Sequence, residues 1–243
     1  QGSQIRRHTG VLTETPSLYE ALTARENLAT FGDLYGVAED RLPSRVDLVL
    51  EQIGLRDRAD ERVAGYSKGM RQRLAIARAL LHEPEILFLD EPQAGLDPQS
   101  RVLVREYIRS LASSTTIVLT THDMEEAEKL SDRVCIIDRG KVLVQDTVAS
   151  IKAVAGSGGV VEIEAAGAGP ETVRSVLQEL GVESGAVSVR GRLVTAVSGA
   201  AAEVLSGFLR SARERGIRPD LARVRPITLE DVFLKLTGRG LRE

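Results

Sequence analysis

Two acidic residues, Asp90 and Glu91, close an uninterrupted apolar run, Ile86-Leu87-Phe88-Leu89. A short apolar run without alternation fits a strand buried on both faces of a parallel sheet. Carboxylates at the carboxyl end of such a strand stand where open α/β sheets bind their ligands. Adjacent acids are costly to bury unless a cation or a proton lies between them. The pair therefore reads as a metal-binding or acid–base site, with two solvated acids in a loop as the structural alternative. A second apolar run, residues 116–121, ends directly in His122, whose imidazole takes up or releases a proton near neutral pH. The segment Tyr66-Ser67-Lys68-Gly69-Met70 precedes the first run, and Gly95-Leu96-Asp97 follows it.

The elements that must position these residues can be read from caps and periodicity. Ser67 stands where a helix cap belongs, ahead of Leu74, Ala77 and Leu81 on one face with Ile76 and Leu80 beside them; Glu83-Pro84 stops the pattern. A helix opening at Ser67 presents free N–H groups and the positive end of its dipole, which suits phosphate. Asp97 caps a further helix with Pro98 at its first position, running to about Ala112. Upstream, residues 10–13 form a short strand leading into the loop Glu14-Thr15-Pro16. Thr23 and Glu26 make a capping box for a helix whose Leu28, Phe31, Leu34 and Tyr35 form a core stripe, ended by Gly36. A second helix, about residues 43–53, carries Val46, Val49, Leu50 and Ile53. Residues 1–8 are polar and basic with no fold signal, and His8 and His82 are read as structural.

Taken together, these motifs resemble the ATP-binding-cassette (ABC) ATPases over nearly the whole chain. Residues 66–70 resemble the family's signature motif in a variant form, in which Ser67 and Gly69 match the usual Leu-Ser-Gly-Gly-Gln and Lys68 stands in place of a glycine. The Ile86–Asp90 strand resembles the Walker B strand, with Glu91 at the catalytic glutamate position; Gly95-Leu96-Asp97 resembles the D-loop and His122 the switch histidine. Glu14 falls at the Q-loop position, where most members carry glutamine. The resemblance implies a P-loop NTPase (ABC ATPase) α/β fold that binds ATP and Mg²⁺. By that likeness Asp90, with Glu14, holds Mg²⁺ through water. Glu91 activates the attacking water, and His122 holds the γ-phosphate side. Asp97 communicates across a dimer interface, and residues Tyr66, Ser67, Lys68, Gly69 and Met70 form the opposing nucleotide wall. The implied partners are a second ABC ATPase subunit, packed head to tail, and a separate transmembrane permease. The implied location is cytoplasmic, at the inner face of the cell membrane.

One expected part is missing. No G-x-x-x-x-G-K-[ST] sequence, the loop that cradles phosphates, occurs in the 243 residues, and the only Gly-Lys pair, Gly140-Lys141, is followed by Val142. The expectation is an ABC ATPase domain lacking its N-terminal part before the Q-loop, and a chain that by itself is inactive.

The remaining sequence fills in the organisation. Residues 124–130 form a short acidic helix, and residues 134–137 and 141–144 a hairpin across Asp138-Arg139-Gly140. A Gly/Ser-rich run at residues 155–159 reads as a linker, dividing an ABC domain (1–154, helical subdomain about 17–65) from an accessory domain (160–243). The latter has a βαββαβ order, an α+β ferredoxin-like unit, closed by a helix over residues 229–236. Similar C-terminal domains accompany exporter-type ABC ATPases. A net charge of −3 and pI near 5.8 give no electrostatic footprint for nucleic acid. Cys135, within an apolar run, is expected to be buried. The favoured function is the ATPase subunit of an exporter. The alternatives are a soluble, ribosome-associated ABC ATPase and a regulatory half-cassette naturally without the phosphate loop.

Overall fold

The computed structural model describes residues 2–156, 158–165 and 167–237, without the side chains of residues 2–4. Ser157, within the expected linker, lies outside the described residues. The chain divides into two compact units, Gln1–Asp123 and Met124–Glu243.

In chain order the first unit contains α1 (Gly2–His8), β1 (Thr9–Leu12), α2 (Ala24–Tyr35), α3 (Leu42–Gln52), α4 (Lys68–Ala79), β2 (Ile86–Asp90), α5 (Pro98–Leu111) and β3 (Thr116–Thr120). The three strands form a parallel sheet in the order β1-β2-β3, so β2 is central. The Thr23 hydroxyl accepts from Glu26 N–H while the Glu26 carboxylate accepts from Thr23 N–H, completing the capping box of α2. Ser67 and Asp97 cap α4 and α5 by accepting from Met70 N–H and Ser100 N–H. The core gathers Leu12, Leu28, Leu50, Leu74, Ile76, Leu81, Leu87, Leu89 and Ile108, all essentially inaccessible. One close approach fixes the seat of α4 against β1: a methyl group added at Gly10 would lie 2.3 Å from the Ala79 carbonyl oxygen.

Four expectations change in this unit. The N-terminal residues form the helix α1. Leu34 is 70% exposed, because the buried face of α2 runs through Ala24, Asn27, Leu28 and Gly32. α4 is buried on nearly all sides, so Gln72 and Arg78 join its apolar residues inside. Finally, β2 is not buried on both faces. Leu87 and Leu89 are inside, but Phe88 is 41% exposed and lies in register with the exposed Val11 and Val118. Helices cover one face of this sheet, and no described element of this unit shields the Val11–Phe88–Val118 row.

The second unit contains α6 (Met124–Leu130), β4 (Arg133–Asp138), β5 (Lys141–Thr147), α7 (Val148–Ala155), β6 (Gly159–Glu164), α8 (Pro170–Glu179), β7 (Val187–Arg190), β8 (Leu193–Ser198), α9 (Ala201–Glu214), β9 (Leu221–Pro226) and α10 (Leu229–Thr237). The β4–β5 hairpin turns through Arg139 and Gly140, both at positive φ (49° and 74°), the geometry that matches strand twist. Four antiparallel strands follow in the order β7-β8-β6-β9. Their helix-covered face packs Val161, Ile163, Val194 and Ala196 against Val173, Leu177, Val204 and Phe208. A second cluster joins Val160 to Ile136, Ile151, Leu229 and Val232, so hairpin, α7 and α10 share one core. That sharing places the contact boundary after Asp123 rather than at the glycine-rich run. Cys135 is exposed, because alternation on β4 turns its neighbour Ile136 inward instead.

Between these clusters sits a chain of ionic hydrogen bonds. Glu162 is only 7% exposed and accepts from Arg223 (2.7 Å) and Arg225 (2.6 Å). Arg225 also forks onto Asp231 at 2.7 and 2.9 Å. Asp231 in turn accepts from the N–H and hydroxyl of Thr228, both at 2.8 Å.

Candidate functional site

The carboxyl end of the parallel sheet brings together Asp90, Glu91, Thr120 and His122. The ladder pairs Asp90 with Thr120, and the Thr120 hydroxyl donates to the Asp90 carboxylate. Glu91 N–H continues the pairing by donating to the Thr120 carbonyl at 3.0 Å. Glu91 then leaves the strand at φ 48°, a left-handed conformation rare for a residue with a side chain. This bend carries its side chain to His122, whose backbone N–H and ring Nδ1 both lie 2.9 Å from Glu91 Oε1. The Glu91 side chain is 22% exposed and that of His122 is 83% exposed.

The signature-like segment and the Gly95-Leu96-Asp97 segment meet at the N-termini of α4 and α5. A methyl group on Gly69 would lie 2.2 Å from Ser100 Oγ, and one on Gly95 would lie 2.3 Å from Lys68 Nζ. Asp97 is occupied as a cap, and hydrogen bonds from the Ser100 hydroxyl and N–H hold its carboxyl below the usual range. Tyr66 and Met70 face inward: the Tyr66 hydroxyl donates to the Arg58 carbonyl at 2.6 Å, and the Arg58 guanidinium lies 3.4 Å from Met70 Sδ. Burial pushes the Tyr66 phenol up. They seat the helix, whereas Ser67 and Lys68 are open to solvent. Glu14 is exposed in the loop after β1, at the same edge of the sheet as Asp90 because Leu12 pairs with Leu89.

Three participants were missed by sequence reasoning. Thr120 sits two residues before His122, on the same side of β3 as Asp90 on β2, and strand alternation would have found it. Gln72 donates to the Pro92 carbonyl at 2.9 Å inside the protein. Arg78 donates to the Ser17 carbonyl and lies 4.6 Å over the Phe31 ring, tying α4 to the segment after Glu14. Burial lowers the Arg78 pKa from its ordinary value. Nothing in an amphipathic pattern marks a buried Gln or Arg in advance.

Asp90, with the exposed Glu14 at the same end of the sheet, fits Mg²⁺, which keeps several waters and takes one or two carboxylates with phosphate oxygens. Among the described residues no group of three His, Cys, Asp or Glu side chains is placed to hold a metal ion.

Comparison with known proteins bears on this arrangement. The sequence model for the ABC transporter family matches residues 1–94. The daunorubicin resistance ATP-binding protein DrrA3 of Streptomyces coeruleorubidus is 38% identical, over 98% of this chain and 75% of its own length. The Nod factor export ATP-binding protein I of Paraburkholderia xenovorans (strain LB400) is 38% identical, over 98% of this chain and 75% of its own length. A solved structure of the ATP-binding subunit of an ABC transporter is 33% identical with a TM-score of 0.55, covering 63% of this chain and 64% of that one. Identity at this level across almost the whole chain, joined to an Asp-Glu strand end facing a histidine, means that this chain belongs to the ABC transporter family, among its ATP-binding proteins.

Proposed function

We propose that the chain is the ATP-hydrolysing core of an exporter's ATP-binding subunit, working as a head-to-tail pair beneath a separate permease. The observation that carries this reading is the Glu91–His122 pair beside Asp90 at the end of the central strand. Glu91 commits Oε1 to His122. Its second oxygen remains to orient and deprotonate a water, the role of a general base. His122, largely exposed, is read as standing on the phosphate side. Asp90, steadied by Thr120, and Glu14 at the same sheet edge are the carboxylates that would hold Mg²⁺ through water. The metal supplies neutralisation of phosphoryl charge.

Ser67, Lys68 and Gly69 open α4 as the wall that meets a partner's nucleotide, Tyr66 and Met70 anchor it, and Asp97 faces across the interface. No phosphate-cradling G-x-x-x-x-G-K-[ST] loop occurs in these 243 residues. In this reading the chain taken alone does not hold the triphosphate, and turnover belongs to the gene product that supplies such a loop. The antiparallel β7-β8-β6-β9 sheet with α8 and α9 is read as a ferredoxin-like accessory domain. The names of the relatives, daunorubicin resistance and Nod factor export, support outward transport. No helix among the described residues is long and apolar enough to cross a membrane; contact with the membrane through the permease is part of the proposal.

The test is Glu91→Gln in the gene product assembled with its permease. Turnover should fall by roughly 10²–10⁴-fold, the usual worth of a general base, with Mg-ATP affinity retained. Near-normal hydrolysis would remove Glu91 from that role.

A further inference from the structure

The loop from Glu91 to Asp97 is held from one side by the first two turns of α4. Gln72, 4% exposed, donates its side-chain N–H to the Pro92 carbonyl at 2.9 Å, directly after Glu91. Further along, Gly95 sits at φ 63° with the Lys68 amine over it, so close that a methyl group on Gly95 would lie 2.3 Å from Nζ. Gly69 closes on Ser100, just beyond the loop, with the same tightness. Within the loop two backbone bonds are found, Ala94 N–H to the Glu91 carbonyl at 3.1 Å and Leu96 N–H to the Gln93 carbonyl at a longer 3.3 Å. Left-handed backbone at a residue with a side chain is costly and persists only where its surroundings impose it.

We infer that Gln72 and Lys68 are positioning residues for Glu91: they strap the loop to α4, and so fix the side chain that reaches His122. The inference rests on the reading of Glu91 as general base. It adds a consequence for the pair of subunits. If the N-terminus of α4 meets a nucleotide held by the partner, the strap joins that wall to the base of its own subunit.

Two measurements test this. In the 243-residue chain, Gln72→Met leaves the buried Pro92 carbonyl without its donor. Amide exchange at Ala94 and Leu96 should quicken about tenfold, while Leu74–Ala79 in α4 keep their protection. In the gene product assembled with its permease, Gln72→Met should lower kcat about tenfold with KM for Mg-ATP within about twofold of wild type, because Gln72 positions the base and is not part of the nucleotide wall. Unchanged exchange at Ala94 and Leu96, or equal loss of protection along α4, overturns the proposal. Should Gln72→Met fail to fold, Lys68→Ala at an exposed position carries the same exchange test: faster exchange at Leu96 is expected, and wild-type exchange refutes the strap. If Glu91→Gln abolishes turnover while Gln72→Met changes neither kcat nor loop exchange, only this inference fails. If Glu91→Gln hydrolyses normally, the reading beneath it fails instead.

Discussion

Replacing Arg225 by methionine removes the centre of the ionic chain in the second unit while keeping most of the side chain's volume. Three hydrogen bonds to carboxylates disappear, one to Glu162 and two to Asp231. Removing one partner of a buried pair costs about 3–5 kcal/mol, because the remaining charge stays buried. Here each acid keeps other donors: Glu162 retains Arg223, and Asp231 retains the N–H and hydroxyl of Thr228. The expected loss therefore lies at the low end, about 3 kcal/mol at pH 7, read by urea unfolding of the chain. Acid adds a sharper test. Burial alone would raise the Glu162 carboxyl, but hydrogen bonds from Arg225 and Arg223 outweigh it and hold the group below its usual range. Asp231 follows the same logic, burial opposed by Arg225 and Thr228. Groups depressed in the folded state stabilise it above their unfolded pKa, about pH 4, and that stability is lost as pH falls through the folded values. In the variant burial is opposed by fewer partners, both acids titrate higher, and protonation relieves rather than harms the fold. The difference between the two proteins should shrink steadily from pH 7 towards pH 4. A difference independent of pH over that range would refute the ionic account and assign the cost to packing.

Two other outcomes can be checked on the same material. Gly10→Ala places a methyl group 2.3 Å from the Ala79 carbonyl oxygen and 3.0 Å from Leu87 Cδ1. Backbone must move, so unfolding of the first unit should be easier by about 2–3 kcal/mol, the upper part of the range for overpacking; no change in its denaturation midpoint would contradict that seat for α4. Deleting residues 160–243 removes Ile227, Leu229 and Val232 from the cluster they share with Ile136 and Ile151. The remainder should lose the protection of the β4–β5 hairpin in amide exchange while α4 and β2 stay protected, and a hairpin still protected would disprove the shared core.

Much of this architecture could be read from local chemistry. Thr23, Ser67 and Asp97 each announce a helix start because a capping side chain acts on amides two or three residues away. The hairpin turn is legible for the same reason, since Arg139-Gly140 sets its own dihedrals. At the candidate site, the apolar run ending in Asp90-Glu91 and the strand ending in His122 announce themselves, but their meeting does not. It depends on the parallel pairing of β2 with β3 and on a left-handed bend at Glu91. Long-range partners were the illegible part. The hairpin's core companions in α10 lie about 100 residues downstream in sequence, so composition put the boundary at the glycines, whereas contacts put it after Asp123. Gln72 and Arg78 look like solvent-facing residues of an amphipathic helix until α4 is found enclosed. Cys135 and Phe88 were misjudged in the opposite sense, since an apolar run does not state which faces of its sheet are covered.

The φ of 48° at Glu91 carries a consequence for anyone selecting hardier versions of this protein. An L-residue held in that region costs about 1–2 kcal/mol, a cost glycine does not bear and asparagine bears less. A library screened only for heat tolerance will therefore enrich Glu91→Gly or Glu91→Asn and discard the carboxylate assigned here as the base. With Glu91 as the proposed base, thermal robustness and turnover compete at this one position, and a screen meant to keep that proposed activity must hold Glu91 fixed.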